Sequence, residues 1–260
     1  MKNITSKDNP TYKELGKLAS SARHRAKLGQ TLLDGAHLLD AYLACGNKPL
    51  QLIITEAAQH DPEISELIQK LTDVPIVQLD DALFAGLTEL KSVSGVLALI
   101  AISRAETNPH KNEFCLLLEN IQDPGNLGSM LRSAAAAGCD TVFMSGGCAD
   151  AWSPKVLRAA MGGHFVLNLH EDADLPSVAR DFSGTIFSAA LSARGSLYDN
   201  SLKGKIAFAI GNEGAGLSAA LLEKSQPVSI PMPGRVESLN AAAAAAICLF
   251  EAVRQRSKNN

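Results

Sequence analysis

Aromatic residues make up only 5% of this 260-residue chain. With so few rings, no exposed stacking platform for bases is evident. No window of about 18 uninterrupted apolar residues occurs, which argues against a transmembrane helix. The opening "MKNITSKDNP" lacks the apolar core of a signal peptide, so the protein is expected in the cytoplasm. The five cysteines (Cys45, Cys115, Cys139, Cys148 and Cys248) show no C-x-x-C pairing. They read as buried small hydrophobes, not as a disulfide framework. The six histidines show no H-x-x-x-H spacing, and no metal is expected. Two nucleotide signatures are missing as well. No G-x-G-x-x-G follows the first strand of either domain, and no glycine-rich turn ends in the Lys-Ser/Thr pair of a phosphate-cradling loop.

What is present suffices for a sizeable core, since 46% of the residues are hydrophobic. The net charge of −3 does not itself favour nucleic acid. Its distribution is uneven: Lys2, Lys7, Lys13, Lys17, Arg23, Arg25 and Lys27 face only Asp8 and Glu14 within the first 30 residues. That stretch could track phosphates or be a solvated amphipathic helix.

The hydropathy pattern divides the chain in two. Residues 1–102 read as a small α/β unit: the basic helical stretch, a helical "QTLLDGAHLLDAYLAC", and strand-like "LQLIIT", "VPIVQL" and "GVLALIAI". The polar "SRAETNPHKN", residues 103–112, is the expected linker. From 113 to 260, strand-like and helical segments alternate. The strand runs are mostly continuous and apolar, which implies a mostly parallel sheet with helices on both faces. A closing helix is expected from about Ser238 to Arg256.

In such sheets ligands sit at the carboxyl ends of strands, where glycine-rich turns enter helices. Three turns fit that position. "AIGNEGAGL" carries Gly211, Gly214 and Gly216 in the order G-x-x-G-x-G, with Glu213 placed where it would repel a pyrophosphate. Taken alone, it is either a nucleotide-binding turn or a tight strand-to-helix connection. In "NIQDPGNLGSMLRSAAAAG", Asn126 stands near a helix start, and Arg132 lies among small residues that would let a ligand or backbone approach. In "PMPGRVESLNAAAA", Ser238 is a plausible N-cap ahead of a strongly helix-forming alanine run, and capping alone would account for Ser238 and Asn240.

Read together, these three segments resemble, in order and spacing, the motifs of the SpoU/TrmH-type RNA methyltransferases of the SPOUT superfamily. The resemblance spans about residues 114–256. The N-terminal unit, with "LLDGAHLLDAYL" and "SVSGVLALIA", is similar to that family's small RNA-binding domain, with Asp34 where the family often has Glu. "MGGHFVLNL" also departs from the pattern at Gly163 and His164.

The resemblance implies a C-terminal domain knotted as a trefoil and a homodimer with its active site at the subunit interface. It implies transfer of a methyl group from S-adenosyl-L-methionine to a ribose 2′-hydroxyl of RNA, ribosomal RNA in preference to transfer RNA. Leu191, Gly211, Ile230 and Leu239 are then expected to line the cofactor. Arg132 matches the arginine proposed as general base. A guanidinium, which holds its proton in water, could equally serve by orientation and charge. Asn126, Glu213, Ser238 and Asn240 match polar motif residues that position Arg132, the RNA or the partner. RNA recognition is expected to rest on shape, ribose and phosphate. Two rivals remain open: a Rossmann-type oxidoreductase or class I methyltransferase, and a non-catalytic RNA-binding protein with a methyltransferase-like domain.

Overall fold

The computed structural model of the protein describes residues 1–90, 94–103, 113–191 and 193–257. The expected linker, apart from Ser103, lies outside the described residues. The chain forms two compact units: Met1–Ser103 with Trp152–Phe165, and the described residues of 104–151 and 166–260.

The first unit begins with β1 (Lys2–Ile4), α1 (Pro10–Ser20) and α2 (Ala22–Leu28). It continues through β2 (Gln30–Asp34), α3 (Ala36–Ala44), β3 (Gln51–Thr55), α4 (Pro62–Lys70), β4 (Ile76–Leu79), α5 (Asp81–Ala85) and β5 (Val96–Ala101). The five strands form a mixed sheet in the order β1-β4-β3-β5-β2. Ile4, Leu32, Ile53, Val77 and Leu97 from the strands pack with Leu15 and Leu18 of α1 and with Leu83 and Phe84 of α5.

One expectation is corrected here: "QTLLDGAHLLDAYLAC" is not a single helix. Thr31, Leu32, Leu33 and Asp34 are all buried in a strand, and Gly35 then turns the chain at φ 107° into α3. That positive φ favours glycine and cannot be accommodated inside a helix. Cys45 is exposed, contrary to the reading of all five cysteines as buried. The thiols of Cys115, Cys139 and Cys248 are buried, and desolvation pushes each of them up, Cys248 to about 12.

The second unit contains β6 (Phe114–Glu119), α6 (Pro124–Ala137), β7 (Thr141–Met144), β8 (Asn168–His170), α8 (Leu175–Asp181) and β9 (Thr185–Ala189). It closes with β10 (Ile206–Gly211), the short α9 (Ala219–Leu222), β11 (Gln226–Val228) and α10 (Ala241–Ser257). Between β7 and β8, α7 (Pro154–Ala160) belongs to the first unit. The six strands run in the order β11-β9-β10-β6-β7-β8, and every pairing is parallel. Every residue of β6 and β7 is buried, as a parallel sheet covered on both sides requires. Alternation assigns the two faces. Cys115, Leu117, Phe143, Ile186, Ala207 and Ala209 pack against Leu175 and Ala179 of α8 and Leu221 of α9. On the other side α10 packs on α6 and β10.

The segment Trp152–Phe165, expected inside the second domain, packs in the first unit. The Thr31 hydroxyl donates to the Trp152 carbonyl at 2.7 Å. The Phe165 ring meets Tyr42 edge-on with centroids 5.0 Å apart. Arg158 reaches Asp34 at 3.3 Å and Glu89 at 3.3 Å. No described helix is long and apolar enough to cross a membrane.

Candidate functional site

All six strands of the second unit point the same way, so the turns after β6, β9, β10 and β11 gather at one edge. They surround a cavity of about 420 Å³, within the usual range for small-molecule sites. Its walls are the end of β9 (Ala189, Ala190, Leu191), the turn after β10 from Gly211 to Leu217, and the stretch after β11 with Ile230, Met232, Ser238 and Leu239.

The turn after β10 is shaped by Asn212 and two glycines. The Asn212 side-chain oxygen accepts from the backbone N–H of Gly214 at 2.8 Å and Ala215 at 3.3 Å. This is the Asx-type turn that asparagine builds readily. Gly216 returns at φ 67° and its N–H donates to the Asn212 carbonyl at 2.8 Å. A Cβ on Gly211 would lie 2.3 Å from the Gly216 carbonyl carbon and oxygen, so the close approach requires glycine there.

Neighbouring turns are tied to this one. The Asn212 amide donates to the Asn120 carbonyl at 3.0 Å, and the Ser218 N–H donates to the Glu119 carboxylate at 2.6 Å. Glu119 is buried at the end of β6, and Asn120 takes a left-handed φ of 56°. Neither Asn120 nor Asn212 nor Glu119 was expected as a site residue. The signal was the acid ending the apolar "FCLLLE" run, a polar group that burial obliges to find a partner.

Three of the expected polar residues meet beside the cavity. One Glu213 oxygen accepts from the Asn126 amide at 2.9 Å, the Asn240 amide at 2.9 Å and the Ala241 N–H at 3.2 Å. The Asn240 amide also donates to the Asn126 side-chain oxygen at 3.0 Å, closing a triangle. The carboxylate can only accept, so it fixes which way both amides point. Asn126 is held by α6, whose N-cap Asp123 accepts from the Asn126 N–H at 2.8 Å. Asn240 is held by α10, accepting from Ala242 at 2.9 Å and Ala243 at 3.2 Å. Asn240, not Ser238, is therefore the N-cap, and α10 starts at Ala241, three residues later than expected. The polar Glu213 acceptor satisfies the Ala241 N–H as well, so the helix is capped at this point.

A model of the SpoU rRNA Methylase family matches residues 113–250. The chain belongs to that family. A Bacillus subtilis relative, the 23S rRNA (guanosine(2553)-2′-O)-methyltransferase RlmP, is 31% identical over 96% of this chain and 98% of its own length. A crystal structure of an RNA 2′-O ribose methyltransferase superposes with a TM-score of 0.84 at 31% identity, covering 98% of this chain and 99% of that one. The AdoMet-bound rRNA methyltransferase of Sinorhizobium meliloti superposes with a TM-score of 0.84 at 26% identity, covering 97% of each chain.

On this SpoU chain the four residues expected at the cofactor, Leu191, Gly211, Ile230 and Leu239, all line the cavity. So do Glu213 and Ser238. Asn126 and Asn240 stand behind Glu213 and are not part of the lining. Arg132 is exposed on α6 and does not line the cavity of its own chain. Six residues of helix separate it from Asn126 by about 9 Å along the axis. Its guanidinium makes no hydrogen bond or ion pair among the described residues. The residues present suit an adenosine-bearing cofactor: Leu191, Ile210, Leu217, Ile230, Met232 and Leu239 supply apolar surface. The backbone N–H groups of Ile230, Met232 and Leu239 donate to no described residue, leaving donors for polar edges.

Proposed function

We propose that this protein methylates the ribose 2′-hydroxyl of RNA, using S-adenosyl-L-methionine, in the cytoplasm and with ribosomal RNA preferred to transfer RNA. The observation that carries the reading is the meeting of Leu191, Gly211, Ile230 and Leu239 around one cavity, beside the Glu213–Asn126–Asn240 triangle. Family membership and the AdoMet-bound relative support it.

When bound, the cofactor supplies a methyl carbon made electrophilic by a sulfonium. The chain's own residues do the rest. Leu191, Ile230 and Leu239 pack the adenosine and exclude water, while the Gly211 turn lets backbone come close. Catalysis is chiefly a matter of holding the hydroxyl oxygen in line with that carbon, which lowers the barrier by removing orientational freedom in advance. Arg132 orients the hydroxyl and, as the hydroxyl proton passes to solvent, stabilises the negative charge left on its oxygen. Since guanidinium stays protonated in water, this role needs no unusual proton loss. Glu213 fixes Asn126 and Asn240, and with them the relation of α6 to α10. Ser238 positions substrate at the cavity wall.

The same reading includes a trefoil knot formed by the C-terminal segment, a first unit that binds RNA, and a homodimer. An Arg132 remote from its own cavity fits a site completed across the dimer. Ribose-methylation maps of total RNA from cells with and without the gene test the proposal. Loss of one or a few ribosomal 2′-O-methyl marks is expected. An unchanged map, or RNA binding by purified protein that binds no S-adenosyl-L-methionine, would overturn it.

A further inference from the structure

The first 30 residues carry seven cations against two anions, a net +5, which leaves −8 on residues 31–260 of a chain whose total is −3. The fold sharpens that imbalance. Of the seven cations, Arg25 is structural: it is buried, and its guanidinium donates to the carbonyls of Leu18 at 2.5 Å and Ala19 at 3.1 Å. It thereby satisfies the end of α1 and locks α2 against it. The other six, Lys2, Lys7, Lys13, Lys17, Arg23 and Lys27, are exposed.

Both anions of the segment are already engaged. Asp8 pairs with Lys13 at 2.8 Å, and Glu14 pairs with His24 of α2 at 3.0 Å. Lys2, Lys7, Lys17, Arg23 and Lys27 have no ion pair among the described residues. Helical spacing aligns the cations: Lys13 and Lys17 share a face of α1, and Arg23 and Lys27 share a face of α2. Leu15 and Leu18 occupy the buried side of α1. Like charges four residues apart weaken a helix, and an ordinary solvated face intersperses both signs. Elsewhere in this unit Lys48 pairs with Asp73 and Lys70 with Glu66 in that ordinary way, while Lys155 stands exposed as a single cation without an ion pair among the described residues.

We propose that the exposed face of α1 and α2 is a phosphate-tracking surface for the RNA substrate, with Lys17, Arg23 and Lys27 at its centre. The assignment of the polyanion as RNA rests on the methyl-transfer reading; the existence of a polyanion surface does not. Such contacts release counterions, so they are read from the salt dependence of binding.

The test compares the full-length protein with the K17Q/R23Q/K27Q variant, binding poly-uridine and an unmodified ribosomal RNA transcript over a range of salt. The expected slope of log K against log salt becomes shallower by about 2 in the variant, from about 0.7 per lost contact to a single strand. Thermal midpoint and S-adenosyl-L-methionine affinity are expected to stay unchanged. The K48Q/K70Q variant, which removes the same kind of charge elsewhere on the unit, is expected to keep the wild-type slope. An unchanged slope in the triple variant overturns the proposal. So does an equal change in K48Q/K70Q, wild-type protein that binds no RNA, or wild-type binding to anionic lipid vesicles in place of RNA. Wild-type protein that binds RNA with the expected slope change, yet transfers no methyl group, would sink the enzymatic reading and leave this surface standing.

Discussion

Glu213 and Asn240 are joined 27 residues apart in sequence by a 2.9 Å hydrogen bond from the Asn240 amide to a Glu213 carboxylate oxygen. The same Asn240 side chain caps α10 through its oxygen, accepting from Ala242 and Ala243. One residue therefore fixes both the start of the closing helix and the orientation of the glycine-rich turn that lines the cavity. Stability and site geometry are coupled through it.

That coupling separates Asn240 from Ser238. Asn240→Ala removes an N-cap, at a cost of about 1 kcal/mol, and leaves a Glu213 oxygen with one donor fewer. The thermal midpoint is expected to fall by about 2–4 °C, together with turnover. Ser238→Ala removes no hydrogen bond among the described residues and should change stability by less than about 0.5 kcal/mol. Calorimetric melts of the two variants, alongside methyl-transfer rates, check the contrast. Equal destabilisation by both would contradict the assignment of the cap.

The two inner glycines of the β10 turn are not equivalent. At Gly211 an added methyl would overlap the Gly216 carbonyl at 2.3 Å, and backbone cannot step aside cheaply. Gly211→Ala is therefore expected to destabilise by about 1–3 kcal/mol and to weaken cofactor binding by deforming the wall. At Gly214 the nearest atom to an added Cβ is the Asn212 oxygen at 3.4 Å, ordinary contact. Gly214→Ala should fold normally. Isothermal titration with S-adenosyl-L-methionine on both variants decides the matter, and tight binding by Gly211→Ala would refute the close-approach argument.

The parts of the fold legible in the sequence were those written in local pattern. "FCLLLE" and "KIAFAI" are continuous apolar runs, and they became buried parallel strands. The three motif turns stood at strand ends, where a parallel sheet gathers them. Less legible was anything decided by distant partners. β2 was hidden because its buried "TLLD" is followed almost at once by the apolar "AHLLDAYL" of α3, with only Asp34 and Gly35 between the two apolar runs. Placement of α7 depends on Thr31 and Asp34, more than 120 residues away, through contacts that no local periodicity encodes. Ser238 and Asn240 are both good caps by type. The choice between them is made by Glu213, a residue on another turn.

Arg158 gives that long-range placement an energetic handle. Its guanidinium lies 3.3 Å from Asp34, whose side chain is only 2% exposed. Asp34 also accepts from the hydroxyls of Thr88 at 2.5 Å and Ser94 at 3.2 Å. Arg158→Met would leave a buried carboxylate with neutral partners alone, at a cost of about 3 kcal/mol. Asp34→Asn/Arg158→Met should recover part of the loss, because the stranded charge is gone. Urea unfolding of the single and double variants measures this. A double variant no better than Arg158→Met would show that Asp34 does not need the cation.

Arg132 carries the sharpest division of labour. It sits on α6 outside the cavity of its own chain, exposed and without an ion-pair partner among the described residues. Nothing in its surroundings therefore links it to the cofactor wall, whereas a role at the substrate oxygen needs a mobile, fully charged fork. Arg132→Ala is expected to lower turnover by about 10²–10³, the usual loss when one stabilising donor is removed from a developing oxygen charge. S-adenosyl-L-methionine affinity and thermal midpoint should stay at their wild-type values. Arg132→Lys keeps the charge but not the planar fork, and should fall between the two. Rates under single-turnover conditions, with cofactor affinity measured by titration, separate the contributions. Loss of cofactor binding in a folded Arg132→Ala protein would place the arginine in the cavity wall instead.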